Sequence, residues 1–360
     1  MDSFKPGLHN EVYPFIHPLK FKASLQDKVT LITEATLSSP QNADLRFGPG
    51  STGTIGRALA ECFSVAGTNL VLVFNRTEPS PDFLNRCRTL GATAVTPIQC
   101  NVSDLDSCQN LIKEYRTGSL TAKSDKPDLA DNARPKQMHK KDPTAILQDW
   151  AINLNGPMYL MSLVMPSFIQ ARSGTIINIA SRGGTVNIPF NTTYCASKAA
   201  LIRLTSCWQA ELELGGHDGI QMYSIHPGAV PSQMTSAGIL LLYKITHSSF
   251  LTFHEAHLDE IMGQYPHVLK RMAQVLEGFK DSPYLSGMVS VALATGIAKD
   301  CLNGRYFDVQ QDLEHVITQA QALKANPDLY TLQVGFLGGL PNDGGTENIA
   351  PEKSFIFPGY

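Results

Sequence analysis

The chain has 360 residues, 43% of them hydrophobic and 17% charged, and a formal net charge of −3. That balance suits a soluble globular protein with a sizeable core and argues against a disordered or fibrous chain. With no basic excess to neutralise phosphates, nucleic-acid binding is not expected.

Seven cysteines (Cys62, Cys87, Cys100, Cys108, Cys195, Cys207 and Cys301) are unclustered and form no C-x-x-C pair. This is the pattern of reduced thiols in a cytosolic protein. The histidines show no metal-ligand spacing, so no metal is expected, and His139, His226 and His247 read as surface or packing residues. The N-terminal stretch is rich in proline and histidine and lacks the apolar segment of a signal peptide. The longest apolar run, 239–243, is too short to cross a bilayer. A cytoplasmic protein without a membrane span is the expectation.

Taken in chain order, residues 1–25 read as an irregular leader. Residues 29–33 (VTLIT) form a β-branched run of the kind buried in a parallel sheet. Polar, loop-like residues 34–47 follow. Then come Gly48-Pro49-Gly50-Ser51-Thr52-Gly53-Thr54-Ile55-Gly56 and a helical period over 57–66, apolar at Leu59, Ala60, Phe63 and Val65. Residues 69–74 (NLVLVF) predict a second strand, 84–90 a helix and 94–99 a third strand. Residues 115–141 are polar and lysine-rich without usable periodicity. A long helix is expected over 143–169, strands over 175–180 and 220–225, and a helix over 196–214. Apolar helical stretches occupy 236–285, 304–309 reads as a last strand, and the tail from about 325 reads as an extended surface segment. Strands alternating with helices at this spacing predict an α/β fold: a single doubly wound Rossmann-type domain, its parallel sheet covered by helices on both faces. No repeat or linker divides it.

The chemistry centres on Tyr194-Cys195-Ala196-Ser197-Lys198. Positions four apart share a helix face, so a phenol and an ammonium project side by side. A neighbouring cation favours phenolate and lowers a tyrosine pKa that is otherwise near 10. Taken alone, the pair is a weak signal. Ser181, however, emerges just past the strand over 175–180, at the carboxyl edge where open α/β sheets bind ligands. Asn153 sits upstream in a helix, and Pro227-Gly228 follows a further strand.

This ordered set, Asn153, Ile177-Asn178-Ile179-Ala180-Ser181, Tyr194 to Lys198 and His226-Pro227-Gly228-Ala229, resembles the short-chain dehydrogenase/reductase family. The resemblance covers roughly residues 26–312, and Gly304-Arg305-Tyr306-Phe307-Asp308 is similar to fungal members. It implies Tyr194 as acid/base, Ser181 as hydrogen-bond partner of the substrate oxygen, Lys198 on the nicotinamide ribose and beside the phenol, and Asn153 holding a water of the proton relay. It also implies a substrate lid over 236–285 and a C-terminal tail over 313–360. The lid's Leu240, Tyr243, Phe250 and Phe253 fit equally a bulky apolar substrate or packing of the lid onto the core. Pairing of the helices over 143–169 and 195–214 implies a homodimer or homotetramer.

For the cofactor, Gly50, Ser51, Gly53, Ile55 and Gly56 form a glycine turn ahead of a helix, where loop amides and the helix N-terminus favour a pyrophosphate. After the second strand, an acidic residue would accept from a ribose 2′-OH; this chain has Asn75, Arg76 and Thr77, which suit a 2′-phosphate. The expectation is NADP(H), with Asn101 and Val102 near the adenine and Asn132, Pro227, Gly228 and Val230 completing the site. NADPH being the usual reduced pool, reduction is the expected direction.

Two features depart from the family pattern. Residues 34–47 separate the first strand from the glycines, and only 127–133 (PDLADNA), with Asn132-Ala133, remains of an expected fourth strand. These departures favour a competing reading, a catalytically silent nucleotide-binding or scaffold protein. A third reading is a non-redox epimerase or cyclase on the same fold. The intact Ser181, Tyr194 and Lys198 count against silence, because a scaffold has no need of a proton relay.

Overall fold

The computed structural model describes residues 4–33, 53–75, 78–117, 137–231 and 277–339, with isolated positions at 265, 267, 274 and 275. Its strands form two parallel groups. The first has the order β1 (Val29–Ile32), β2 (Asn69–Phe74), β3 (Ala94–Gln99); the second runs β4 (Gly174–Ile179), β5 (Ile220–His226), β6 (Tyr306–Asp308). Every pairing is parallel, with Leu31 opposite Val71 and Ile177 opposite Tyr223. The helices between the strands serve as crossovers, the arrangement that forces parallel pairing. This is the Rossmann-type α/β fold expected.

Leu70 and Leu72 on β2 and Tyr223 and Ile225 on β5 are buried. Val29 on β1 is 45% exposed, and most of β4 is only partly buried. Among the described residues no strand pairs with the second edge of β1 or of β4. Residues 127–133, the expected remnant of the strand between them, lie outside the described residues. The two groups still share one core: Ile32, Leu70 and Leu72 pack in a single cluster with Tyr223, Ile225 and Phe307.

Helix α1 (Thr54–Val65) starts three residues before the predicted period, and α2 (Pro81–Leu90) starts at Pro81, capped by the Ser80 hydroxyl, which accepts from Phe83 N. Pro at the first turn and a Ser cap are the ordinary signals for such a start. Helix α3 (Leu105–Thr117) was not expected. Its buried apolar face is Cys108, Leu111 and Ile112, a short stripe at i, i+3, i+4. The leader is also ordered: 3-10 turns at Pro14–Ile16 and Pro18–Lys20 bury Tyr13, Ile16, Phe21 and Leu25 in the core. The Tyr13 hydroxyl accepts from Leu313 N at 2.7 Å. Its apolar residues follow no single period, so pattern reading sees only a loop.

The single helix expected over 143–169 is two. Helix α4 (Pro143–Trp150) passes through a π turn (Ala151–Asn155) into α5 (Gly156–Ala171). Pro157 explains the break. It has no N–H to give the carbonyl four residues back, which is that of Asn153, and Gly156 N instead reaches the Ala151 carbonyl five back. Helix α6 (Thr192–Leu214) and helix α7 (Pro283–Ala294) complete the layers around the site.

Candidate active site

Four expected residues converge. Ser181 lies two residues beyond β4 and accepts from Gly183 N at 3.0 Å, turning the chain through Arg182–Gly184. Tyr194 and Lys198 lie one turn apart on α6, and Ser181 hydrogen-bonds the Tyr194 side chain. Lys198 is 3% exposed; its Nζ donates to the Ile179 carbonyl at 2.8 Å and lies 5.8 Å from the Tyr194 ring centre. The close approach of the two elements depends on Gly184, where a Cβ would come within 2.8 Å of the Lys198 carbonyl carbon and 2.9 Å of Ala199 N. Asn153, in the π turn against α6, is buried, and among the described residues neither polar atom of its side chain has a partner.

Charge is distributed differently from the expectation. Burial pushes the Tyr194 phenol up, outweighing the lowering by Ser181, whereas the sequence reading had Lys198 pulling it down. The reason is desolvation: Lys198 is so deeply buried that its own pKa falls to about 8, and its ammonium is directed at the Ile179 carbonyl. His226 is buried beside the site and accepts from Arg182 N at 3.3 Å; burial drives its pKa down to about 4, so it packs as a neutral ring.

The cofactor-binding candidates line the carboxyl edge of the strands. Gly53 precedes the first turn of α1, which contains Ile55 and Gly56, and among the described residues no side chain caps that turn. The amides there have no intrahelical acceptor and face an anion's preferred position. Asn75 follows β2 and its carbonyl accepts from Gln99 Nε2 at 2.7 Å. Past β3, the buried Asn101 commits its Oδ1 to Ser103, at 3.2 Å from the amide and 2.7 Å from the hydroxyl, and Val102 packs against the core of α3 and α5. Pro227, Gly228 and Val230 follow β5 and are buried. Gly50, Ser51, Arg76, Thr77 and Asn132 lie outside the described residues, as does most of 236–285, the expected lid.

Sequence reading missed the group that shapes the Pro227-Gly228 turn. Asp281 donates its amide to the Ala229 carbonyl at 3.0 Å, and its carboxylate accepts from Ala229 N and from Gln310 Nε2. Gly228 adopts φ +90°, and a Cβ there would lie 2.8 Å from that carboxylate. Fifty-two residues separate Asp281 from Ala229, so no local spacing could have revealed the pair. Nor did spacing reveal the buried Asp149, which is ion-paired with Lys141 and accepts from the Thr193 hydroxyl at 2.7 Å. Among the described residues no helix is long and apolar enough to cross a membrane, and no cluster of His, Cys, Asp and Glu is placed to hold a metal.

The short chain dehydrogenase family model matches residues 49–238, more than half of the chain. The chain belongs to that family. A short chain dehydrogenase of Pseudocercospora fijiensis is 24% identical over 345 residues, covering 94% of this chain and 98% of its own length. The short chain dehydrogenase pigC of Monascus ruber is 24% identical over 326 residues, covering 86% and 87%. Among solved structures, a short-chain dehydrogenase/reductase from Burkholderia xenovorans superposes with a TM-score of 0.56 at 21% identity, over 80% of this chain and 96% of its own. Members of the family are nicotinamide-dependent oxidoreductases of alcohols and carbonyls. The residues present fit that cofactor: among the described residues they include a helix start without a side-chain cap, a buried lysine and a buried amide side chain without partners.

Proposed function

We propose that this short-chain dehydrogenase interconverts a ketone and a secondary alcohol of a small organic molecule, with NADP(H) as cofactor and Tyr194 as acid/base. A polyketide or other secondary metabolite is the substrate class, and the cytosol is the setting. The observation that carries the reading is the grouping of Ser181, Tyr194 and Lys198 against the turn of Asn153, a buried side chain that no group among the described residues satisfies. A buried amide without partners costs free energy unless water or a ligand fills its bonds.

The nicotinamide, when bound, exchanges a hydride with the substrate carbon. The chain's own groups manage the charge that this leaves on the substrate oxygen. The Ser181 hydroxyl hydrogen-bonds that oxygen and the Tyr194 phenol delivers its proton, or withdraws it in the oxidative direction. A phenol raised by burial holds its proton at neutral pH, which suits the donor role of reduction. Lys198 holds the ribose hydroxyls and, with Asn153, carries the replacement proton through water. The Asn153 carbonyl, given no N–H by Pro157, is a ready acceptor for that water.

Gly50, Ser51, Gly53, Ile55 and Gly56 hold the pyrophosphate, Asn101 and Val102 the adenine, and Asn132, Pro227, Gly228 and Val230 the nicotinamide side. Asn75, Arg76 and Thr77 take the 2′-phosphate. Arg76→Ala is expected to weaken NADPH roughly 10- to 100-fold in an equilibrium fluorescence titration, from loss of a charge-assisted hydrogen bond of about 1.5–3 kcal/mol, and to leave NADH unchanged. Tighter binding of NADH than of NADPH by the wild type contradicts the assignment.

A homodimer or homotetramer formed through α4, α5 and α6, the helices over 143–169 and 195–214, is part of the same reading. Leu147 (69%), Trp150 (41%) and Ile169 (38%) are large apolar residues exposed on those helices. Light scattering after gel filtration is expected to give the mass of two or four chains; a one-chain mass removes the proposal.

A further inference from the structure

Beneath the proposed relay lies a buried ionic triad that the proposed reaction does not use. Asp149, on the last turn of α4, is fully buried and ion-paired with Lys141, itself only 11% exposed at its side chain. The Lys141 ammonium also donates to the Thr193 hydroxyl at 2.7 Å, and that hydroxyl donates to the Asp149 carboxylate at 2.7 Å. Three segments meet at this point: the stretch leading into α4, α4 itself and the first turn of α6. Thr193 immediately precedes Tyr194. Asp149 lies four residues before Asn153, about 6 Å along the helix axis at a rise of about 1.5 Å per residue. The triad therefore joins the element that carries the phenol to the element that carries the orphaned amide.

A buried ion pair adds little net stability over apolar side chains of equal size. What it supplies here is register: the three groups share hydrogen bonds of fixed length and direction, where apolar packing would let α6 slide on α4. The junction needs such a fixture because the π turn directly after α4 interrupts the regular helix ladder.

We infer that Asp149, through Lys141 and Thr193, is a positioning residue of the proton relay, setting the Tyr194 end of α6 against the turn that holds Asn153. The inference rests on the oxidoreductase reading above for its kinetic consequence, but its structural half is testable without substrate or cofactor. The variant of choice is Thr193→Val, which is isosteric, leaves the Lys141–Asp149 pair in place and cuts only the link to α6; Thr193→Ser restores the hydroxyl.

In the ligand-free protein, Thr193→Val is expected to speed amide hydrogen exchange over 192–198 and 149–155 while the strands stay protected, and Thr193→Ser is expected to exchange like the wild type. With NADPH and phenanthrenequinone as probe, Thr193→Val is expected to lower kcat about 10- to 100-fold, the scale of a small misplacement of reacting groups. NADPH affinity stays within about twofold, and the ionisation seen in the kcat–pH profile moves upward because the phenolate loses aligned donors. Asp149→Asn, a second variant, is expected to shift the profile in the same direction. Wild-type exchange and kcat in Thr193→Val overturn the inference, as does a kcat loss that Thr193→Ser does not restore. If Tyr194→Phe turns over as fast as the wild type, the oxidoreductase reading fails instead, and the exchange comparison in the ligand-free protein still decides the positioning claim.

Discussion

Tyr194→Phe is expected to retain NADPH and lose turnover. The phenylalanine ring fills the same half-buried volume beside Ser181 and Lys198 but carries no proton to give, so the loss is chemical. Removal of a placed general acid costs about 10²–10⁴-fold in rate, equivalent to about 3–5 kcal/mol of transition-state stabilisation. The affinity for NADPH, measured by nucleotide fluorescence, is expected to change less than threefold, a margin of about 0.7 kcal/mol. This combination also separates the two broad readings of the sequence. A silent nucleotide-binding protein binds equally with either residue and turns over with neither, whereas an oxidoreductase shows wild-type turnover that the substitution removes.

Lys198→Met is expected to inactivate the protein and, at neutral pH, to stabilise it. Lys198 is almost wholly buried, and burial lowers its pKa to about 8 from an ordinary value of 10.5. Between those two values the unfolded chain binds a proton that the folded chain does not, so stability rises with pH through that window. Below about pH 8 the folded state carries the full penalty of an ammonium without enough compensating partners, on the order of 3 kcal/mol. Methionine removes the penalty and gives up one hydrogen bond to the Ile179 carbonyl, worth about 1 kcal/mol. Chemical denaturation is expected to find the variant more stable by about 2 kcal/mol at pH 7, with the gain fading by pH 10–11 as the wild-type lysine loses its proton in both states. A variant less stable than the wild type at pH 7 contradicts this account of the site. Sites that tolerate such a cost are ones where function, not packing, selects the residue.

The parts of the fold that were legible in the sequence are those governed by short-range pattern. β2 and β3 run over the predicted 69–74 and 94–99 because β-branched and aromatic runs bounded by Gly and Thr admit little else. Ser181, Tyr194 and Lys198 were legible because the strand end and the helix period bring them to one edge from within a span of eighteen residues. What was hidden depends on long-range partners or on exceptions to periodicity. The leader packs Tyr13 and Ile16 into the core through contacts with residues near 313, some three hundred positions away. Asp281 is joined to Ala229 across fifty-two positions of sequence.

The π turn was the nearest miss. Gly156-Pro157 sits in plain view within the predicted helix, and a proline there leaves the Asn153 carbonyl without its donor; read that way, the sequence points to the break and to the residue it serves. The expected pKa of Tyr194 had the wrong direction because the spacing of Tyr194 and Lys198 reports proximity and says nothing of burial, which is the larger effect at both residues.

The central claim is that hydride passes between a nicotinamide ring and a carbonyl carbon beside Tyr194. Reduction of acetophenone, whose product alcohol keeps its carbinol hydrogen, with NADPH deuterated at C4, on one face and then on the other, followed by mass spectrometry of that alcohol, tests it most directly. The account predicts one deuterium at the new carbinol carbon from one of the two labelled nucleotides and none from the other. Product formed without deuterium from either contradicts it.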